Sequence, residues 1–126
     1  MGVKAETSLQ KRIQNLIIKR GGYVNKNWGN MTSKPGIGDL TCGYKGFYIA
    51  IEVKEDDNIP SLVQGIHCRK VWNAGNIAMI AWSVEEVDKV LNHLSYCLAQ
   101  NYSMEDSRRE IINFMQVFNI DDGTRW

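Results

Sequence analysis

Cysteine is sparse in this chain. The three residues, Cys42, Cys68 and Cys97, are odd in number and widely spaced. That pattern excludes a disulfide framework, and without a C-x-x-C pair it also argues against a zinc module. The only two histidines, His67 and His93, do not stand at zinc-ligand spacing. All three thiols are expected to be reduced and buried. No apolar run approaches the roughly 18 residues that span a bilayer, so no membrane association is expected. The opening stretch, Met1-Gly-Val-Lys-Ala-Glu6, lacks the apolar core of a secretion signal. A cytoplasmic location is the resulting expectation. Internal repeats, low-complexity tracts and linkers are absent too, so the 126 residues read as a single domain.

Charge is nearly balanced overall, at +1, but it is unevenly distributed. Residues 1–54 hold nine Lys or Arg against Glu6, Asp39 and Glu52, a net +6, which leaves −5 for the rest. A basic N-terminal half can face a polyanion despite the near-neutral total. Scattered surface lysines would look the same from charge alone.

Apolar spacing outlines the elements. Leu9, Ile13, Leu16 and Ile17 predict a helix over about 5–20, stopped by Gly21-Gly22. A short strand from Tyr23 to Trp28 and a loop over 29–38 follow. Residues 39–44 and 47–54 flank Lys45-Gly46 and read as a hairpin. Ser61 caps a helix to about Ala74, and 76–82 form a nearly continuous apolar strand. Ser83-Val-Glu-Glu86 opens a third helix through a capping box, with Val87, Leu91, Leu94 and Leu98 as its buried stripe. A fourth helix spans about 104–118, with Ile111, Phe114, Met115 and Phe118 on one face. The order is α-β-β-β-α-β-α-α, an α/β fold with a central mixed sheet flanked by helices.

The hairpin carries the chemistry. If Lys45-Gly46 is the turn, Tyr44 faces Phe47 and Asp39 faces Glu52. Alternation then puts Leu40, Cys42, Tyr44, Phe47, Ile49, Ile51 and Val53 on one face, a plausible core. Asp39, Thr41, Gly43, Tyr48, Ala50, Glu52 and Lys54 fall on the other. Facing residues have Cβ atoms about 4.5–5.5 Å apart, where like charges repel. A divalent cation reverses that penalty, because Mg²⁺ takes hard oxygen ligands and is commonly held by one or two carboxylates plus water and phosphate. Lys54 reaches the same space. Two carboxylates and an ammonium at one strand end suit phosphodiester hydrolysis: a metal-activated water, and a cation to offset transition-state charge. A surface salt bridge among the three is the plainer alternative.

Gly36-Ile-Gly-Asp39 followed by Glu52-Val-Lys54 resembles the motif of PD-(D/E)XK nucleases, which have a restriction-endonuclease-like fold. It is most similar to the virus-type replication-repair nuclease domain, VRR-NUC. The resemblance covers about residues 6–86, and the C-terminal helices, over about 84–118, complete the domain. Archaeal-type Holliday junction resolvases look similar in motif order and size. Gly38 departs from the family's proline before the aspartate, and the change removes no ligand.

This resemblance implies specific roles. Asp39 and Glu52 would ligate Mg²⁺, with Mn²⁺ as a substitute, together with the Val53 carbonyl. Lys54 would assist the water. Glu6 would stand near the metal, although an acid in a helix first turn also suits the dipole. Gln64 would approach the scissile region, although Ser61-x-x-Gln64 is itself a capping box. Ser33 and Lys34 are placed to touch phosphate. Lys11, Arg12, Lys19, Arg20 and Lys26 are candidates for salt-sensitive contacts with the DNA backbone. Trp28 and Trp72 are read as core residues rather than stacking platforms. The family points to a structure-specific endonuclease on branched DNA such as Holliday junctions. Two symmetric cuts suit a homodimer, with the helix around Ile111 to Phe118 as a candidate contact. A virus-encoded origin is suggested by the family name alone. A monomeric nicking, flap or degradative nuclease, and a DNA-binding subunit that does not cut, remain open.

Overall fold

A two-residue turn sets the frame of the sheet. The computed structural model describes residues 3–27, 39–55 and 61–114. Lys45 and Gly46 both have positive φ, 50° and 92°, the backbone of a tight hairpin turn matched to strand twist. Around it β2 (Leu40–Tyr44) and β3 (Phe47–Val53) pair antiparallel, Tyr44 with Phe47 and Leu40 with Ile51. This is the register expected from the sequence. On the far side of β2, β1 (Tyr23–Lys26) pairs antiparallel, with Tyr23 opposite Gly43. On the far side of β3, β4 (Ile77–Ala81) runs parallel, with Ile49 opposite Ile77. The sheet is therefore mixed, in the order β1-β2-β3-β4.

A parallel pair needs a crossover, and α2 (Leu62–Asn73) supplies it. Its N-terminus is closed by Ser61 and its C-terminus by Ala74. The remaining helices are α1 (Val3–Lys19), α3 (Val84–Ala99) and α4 (Met104–Phe114). Element by element, the order is α-β-β-β-α-β-α-α.

The core lies between the sheet and the pair α1 and α3. Leu40, Cys42, Ile49, Ile51 and Val53 from one hairpin face are fully buried there, with Ile13 and Ile17 of α1 and Val87, Leu91 and Leu94 of α3. The Tyr44 hydroxyl shares a 2.7 Å hydrogen bond with Ser95 of α3, which identifies the covered face. Arg20, just after α1, donates to Asp88 of α3 at 2.7 Å and ties the two helices. Packing on β3 and β4 from the other side, α2 has its Trp72 indole N–H donating to the Ala78 carbonyl at 3.0 Å. Every residue of β4 is buried, as its apolar run required. Arg108 of α4 lies 5.4 Å from the Trp72 ring and donates to the carbonyls of Trp72 and Asn76, so α4 is fastened to the α2–β4 turn.

Several expectations shift. The helix predicted over 5–20 runs Val3–Lys19, and the strand predicted to reach Trp28 ends at Lys26. Trp28, Ser33, Lys34, Met115 and Phe118 lie outside the described residues. Leu98 is partly rather than fully buried, while Val90 and Cys97 complete the stripe of α3. Ile111 is fully buried in the chain's own core. That removes Ile111 itself as a dimer contact, since it belongs to the chain's own core cluster. Trp72 is a core residue, and the three cysteines are free and buried, as expected. Among the described residues no helix is long and apolar enough to cross a membrane.

Two substitutions test this packing. The Ser83 hydroxyl accepts the Glu86 N–H at 3.2 Å at the start of α3, so Ser83→Ala is expected to cost about 1 kcal/mol. Leu91→Ala, at a fully buried position, is expected to cost about 2–5 kcal/mol. Urea unfolding measures both, and equal effects would contradict the assignment of cap and core.

Candidate active site

Asp39 stands where β2 begins, and two hydrogen bonds hold it. Its main-chain carbonyl accepts the Asn27 N–H at 2.8 Å, continuing the pairing with β1. Its carboxylate Oδ2 accepts the Val53 N–H, also at 2.8 Å. A side-chain oxygen of Asp39 is thus fastened to the end of β3. The Lys54 N–H points the other way and donates to the Ala81 carbonyl of β4 at 2.9 Å. In a strand the N–H and C=O of one residue point to the same side, and neighbouring residues alternate. Since the Val53 N–H points toward Asp39, its carbonyl points to that side as well.

The side chains sort as the register requires. Val53 faces the core and is fully buried. Glu52 faces the opposite side and is 4% exposed. Lys54, two residues further on, is half-buried. Continuing the β2–β3 register by one residue beyond Leu40↔Ile51 sets Asp39 opposite Glu52 on that second face. The anionic character of the site reaches α2: Cys68 has its thiol pushed up to about 12, first by burial and then by the negative charge of Glu52.

The donors fit a hard divalent cation. Asp39 and Glu52 offer carboxylate oxygens, and the Val53 carbonyl offers a third, neutral one. Among the described residues no group of three or more His, Cys, Asp or Glu could hold a metal by side chains alone. Two carboxylates completed by a carbonyl and water suit Mg²⁺, which retains several waters, better than zinc, which favours nitrogen and sulfur in closed structural sites.

The other sequence-derived residues are placed less uniformly. Glu6 lies on α1, and its side chain is outside the described residues. Gln64 closes the capping box of α2, its Oε1 accepting the Ser61 N–H at 2.8 Å while its own N–H donates to Ser61 Oγ at 3.2 Å. That bond engages the side-chain oxygen in the helix start. Lys11, Arg12 and Lys19 are exposed on α1. Arg20 is engaged by Asp88, and this hydrogen bond holds its guanidinium pKa above the ordinary value. Lys26 is paired with Leu40, so it shares the sheet face covered by α1 and α3, away from Glu52 and Lys54. The structure therefore gathers Asp39, Glu52, Val53 and Lys54, and it separates Arg20 and Lys26 from them.

One acid escaped the sequence reading. Glu55 follows Lys54 directly, is 7% exposed, and neither carboxylate oxygen has a hydrogen-bond partner among the described residues. An acid between Lys54 and the pair Asp56-Asp57 reads as surface, so no local signal marked it for burial.

The raised thiols give a direct check. Burial pushes the Cys42 and Cys68 thiols up to about 12. At pH 8 the folded protein is expected to resist iodoacetamide at both positions and to react only after denaturation, as mass spectrometry of peptides would read. Rapid alkylation of native Cys68 would show that this thiol is accessible rather than buried.

Comparison with solved structures finds a VRR_NUC domain at TM-score 0.59 and 26% identity, covering 70% of this chain and 95% of that one. A Holliday junction resolvase, Hjc from the archaeal hyperthermophile Archaeoglobus fulgidus, matches at TM-score 0.46 and 22% identity, covering 61% of this chain and 67% of its own. No family model matches the sequence, and neither does any curated protein. The motif resemblance and the fold agree: this chain has an α/β fold similar to that of a VRR_NUC domain.

Proposed function

We propose that this chain is a divalent-cation-dependent endonuclease of the VRR-NUC type, hydrolysing phosphodiester bonds in DNA with a preference for branched structures such as four-way junctions. The observation that carries the reading is the bond from the Val53 N–H to the Asp39 carboxylate, which holds one acid against the strand end bearing Glu52 and Lys54. Similarity to a VRR_NUC domain supports it independently.

In this reading Asp39, Glu52 and the Val53 carbonyl hold Mg²⁺, with Mn²⁺ able to replace it. Such an ion would supply polarisation of a phosphoryl oxygen and a more acidic water. The Lys54 ammonium orients the attacking water and offsets the negative charge that develops on the phosphate. Burial of Glu52 limits its motion and keeps its carboxylate positioned before substrate arrives. Lys11, Arg12 and Lys19 supply contacts to the DNA backbone that weaken with salt.

Resolution of a junction by two symmetric cuts calls for a homodimer. A second reading, a monomer that nicks or cuts flaps, is favoured by one observation: Ile111 of α4 is spent on the chain's own core. Molar mass in solution separates the two.

Asp39→Ala, Glu52→Ala and Lys54→Ala are each expected to lower Mg²⁺-dependent cleavage of labelled four-way junctions by at least about a hundredfold. EDTA should abolish cleavage by the unaltered protein. Full activity in Glu52→Ala or Lys54→Ala would remove this site from consideration.

A further inference from the structure

Among the described helices, α2 is the one on the face that carries Asp39 and Glu52, and it packs on β3 and β4 rather than on β1 and β2. There Tyr23, Gly43 and Tyr48 form a single cross-strand row, since Tyr23 pairs with Gly43 and Gly43 with Tyr48. Tyr23 is 71% exposed and Tyr48 is 44% exposed, unusual values for aromatic residues within a sheet. They stand two strand spacings apart, roughly 10 Å. One planar ring stacked between two others needs about 7 Å from outer ring to outer ring. A shallow, open depression lies over this row, lined by Tyr23, Thr41, Gly43 and Tyr48.

Gly43 gives the second indication. A Cβ built at this position meets only the Tyr23 Cβ, at 4.0 Å, an ordinary contact, and Gly43 is not among the glycines with positive φ. Neither backbone conformation nor packing requires glycine here. Glycine weakens a strand interior, and there it often marks close approach of a ligand. What its missing side chain leaves is a floor between the two tyrosines.

The row also has a fixed relation to the acids. Gly43 stands four positions from Asp39, and Tyr48 four from Glu52, all on one face, a distance of about 13 Å. Between them lies a row of short side chains, Asn25, Thr41 and Ala50, with Thr41 Oγ1 held by Asn27 at 2.9 Å. Stacked nucleotides rise about 3.4 Å each, so about four of them bridge that distance, and fewer if the strand is extended.

We propose that Tyr23, Gly43 and Tyr48 form a slot for one unpaired base of the DNA strand that is cut. The proposal rests on the nuclease reading and names its substrate class: DNA with a single-stranded or splayed segment beside the scissile phosphate. Bases in a continuous duplex are stacked and paired, so they cannot enter without being extruded.

The test is binding of fluorescein-labelled oligothymidylate, read by anisotropy in EDTA, beside cleavage of a forked and a fully paired duplex in Mg²⁺. Tyr23→Ala and Tyr48→Ala are each expected to weaken oligonucleotide binding by about tenfold or more. The Phe variants keep the ring and should bind within about twofold of the parent. Gly43→Val should fill the slot and match the alanine variants with the thermal midpoint unchanged. Unaltered oligonucleotide binding in both alanine variants would overturn the slot, whether or not the protein cuts, and so would a shift of molar mass from dimer to monomer with binding intact. Tyrosine-dependent binding without cleavage of any substrate would uphold the slot and defeat the nuclease reading instead.

Discussion

A two-residue turn governs where the charges go. With Lys45 and Gly46 in left-handed conformations, Tyr44 must face Phe47, and every later pair along the hairpin follows. Asp39 and Glu52 then fall on one face while Leu40, Ile51 and Val53 fall on the other. A slip of one residue would bury the acids in the core and expose the isoleucines. The hydrophobic face and the acidic pair are therefore two consequences of a single register, and burial of the first enforces the geometry of the second. Burying Leu40, Ile49, Ile51 and Val53 under α1 and α3 makes any other pairing costly.

That enforcement matters because the site does not favour its own folding. Like charges facing across a ladder repel, and Glu52 is almost wholly removed from water. Such an arrangement is held by the packing around it. The Val53 N–H partly offsets the cost at Asp39, since a charge-assisted bond to a main-chain donor is stronger than a neutral one. Lys54 adds an opposite charge on the same face. A cation bound between the carboxylates would turn repulsion into attraction, which links metal binding to stability as well as to chemistry.

The legible features were those set by local periodicity. Alternation along the hairpin, the capping box at Ser61 and the unbroken apolar run of β4 act over a few residues, and each appears in the structure where the pattern placed it; at Ser83 the cap forms, but the Glu86 carboxylate accepts from the Ser83 hydroxyl and the Trp82 N–H instead of closing the box on the Ser83 N–H. Long-range packing was not legible. Arg20 is committed to Asp88, sixty-eight positions away, and nothing near Arg20 announces that partner. Ile111 turned inward although its helix face suited an interface equally well, because periodicity tells that a face is apolar and not what covers it. Gln64 illustrates a third case, in which one residue satisfies a helix-capping pattern and a family motif at once. The capping bonds are present; they use its oxygen and leave its amide nitrogen for other contacts.

The open half of the sheet extends the same logic. Its exposed tyrosines and the acids occupy one face because one alternation positions both. The proposed nuclease reading nevertheless requires a cation to bind between Asp39 and Glu52. Anomalous scattering from a crystal soaked in Mn²⁺ examines that most directly. The expected result is a single strong peak within coordination distance of both carboxylates and the Val53 carbonyl, lost in Glu52→Ala. A crystal in which the ion binds elsewhere, with those two carboxylates unliganded, would contradict it.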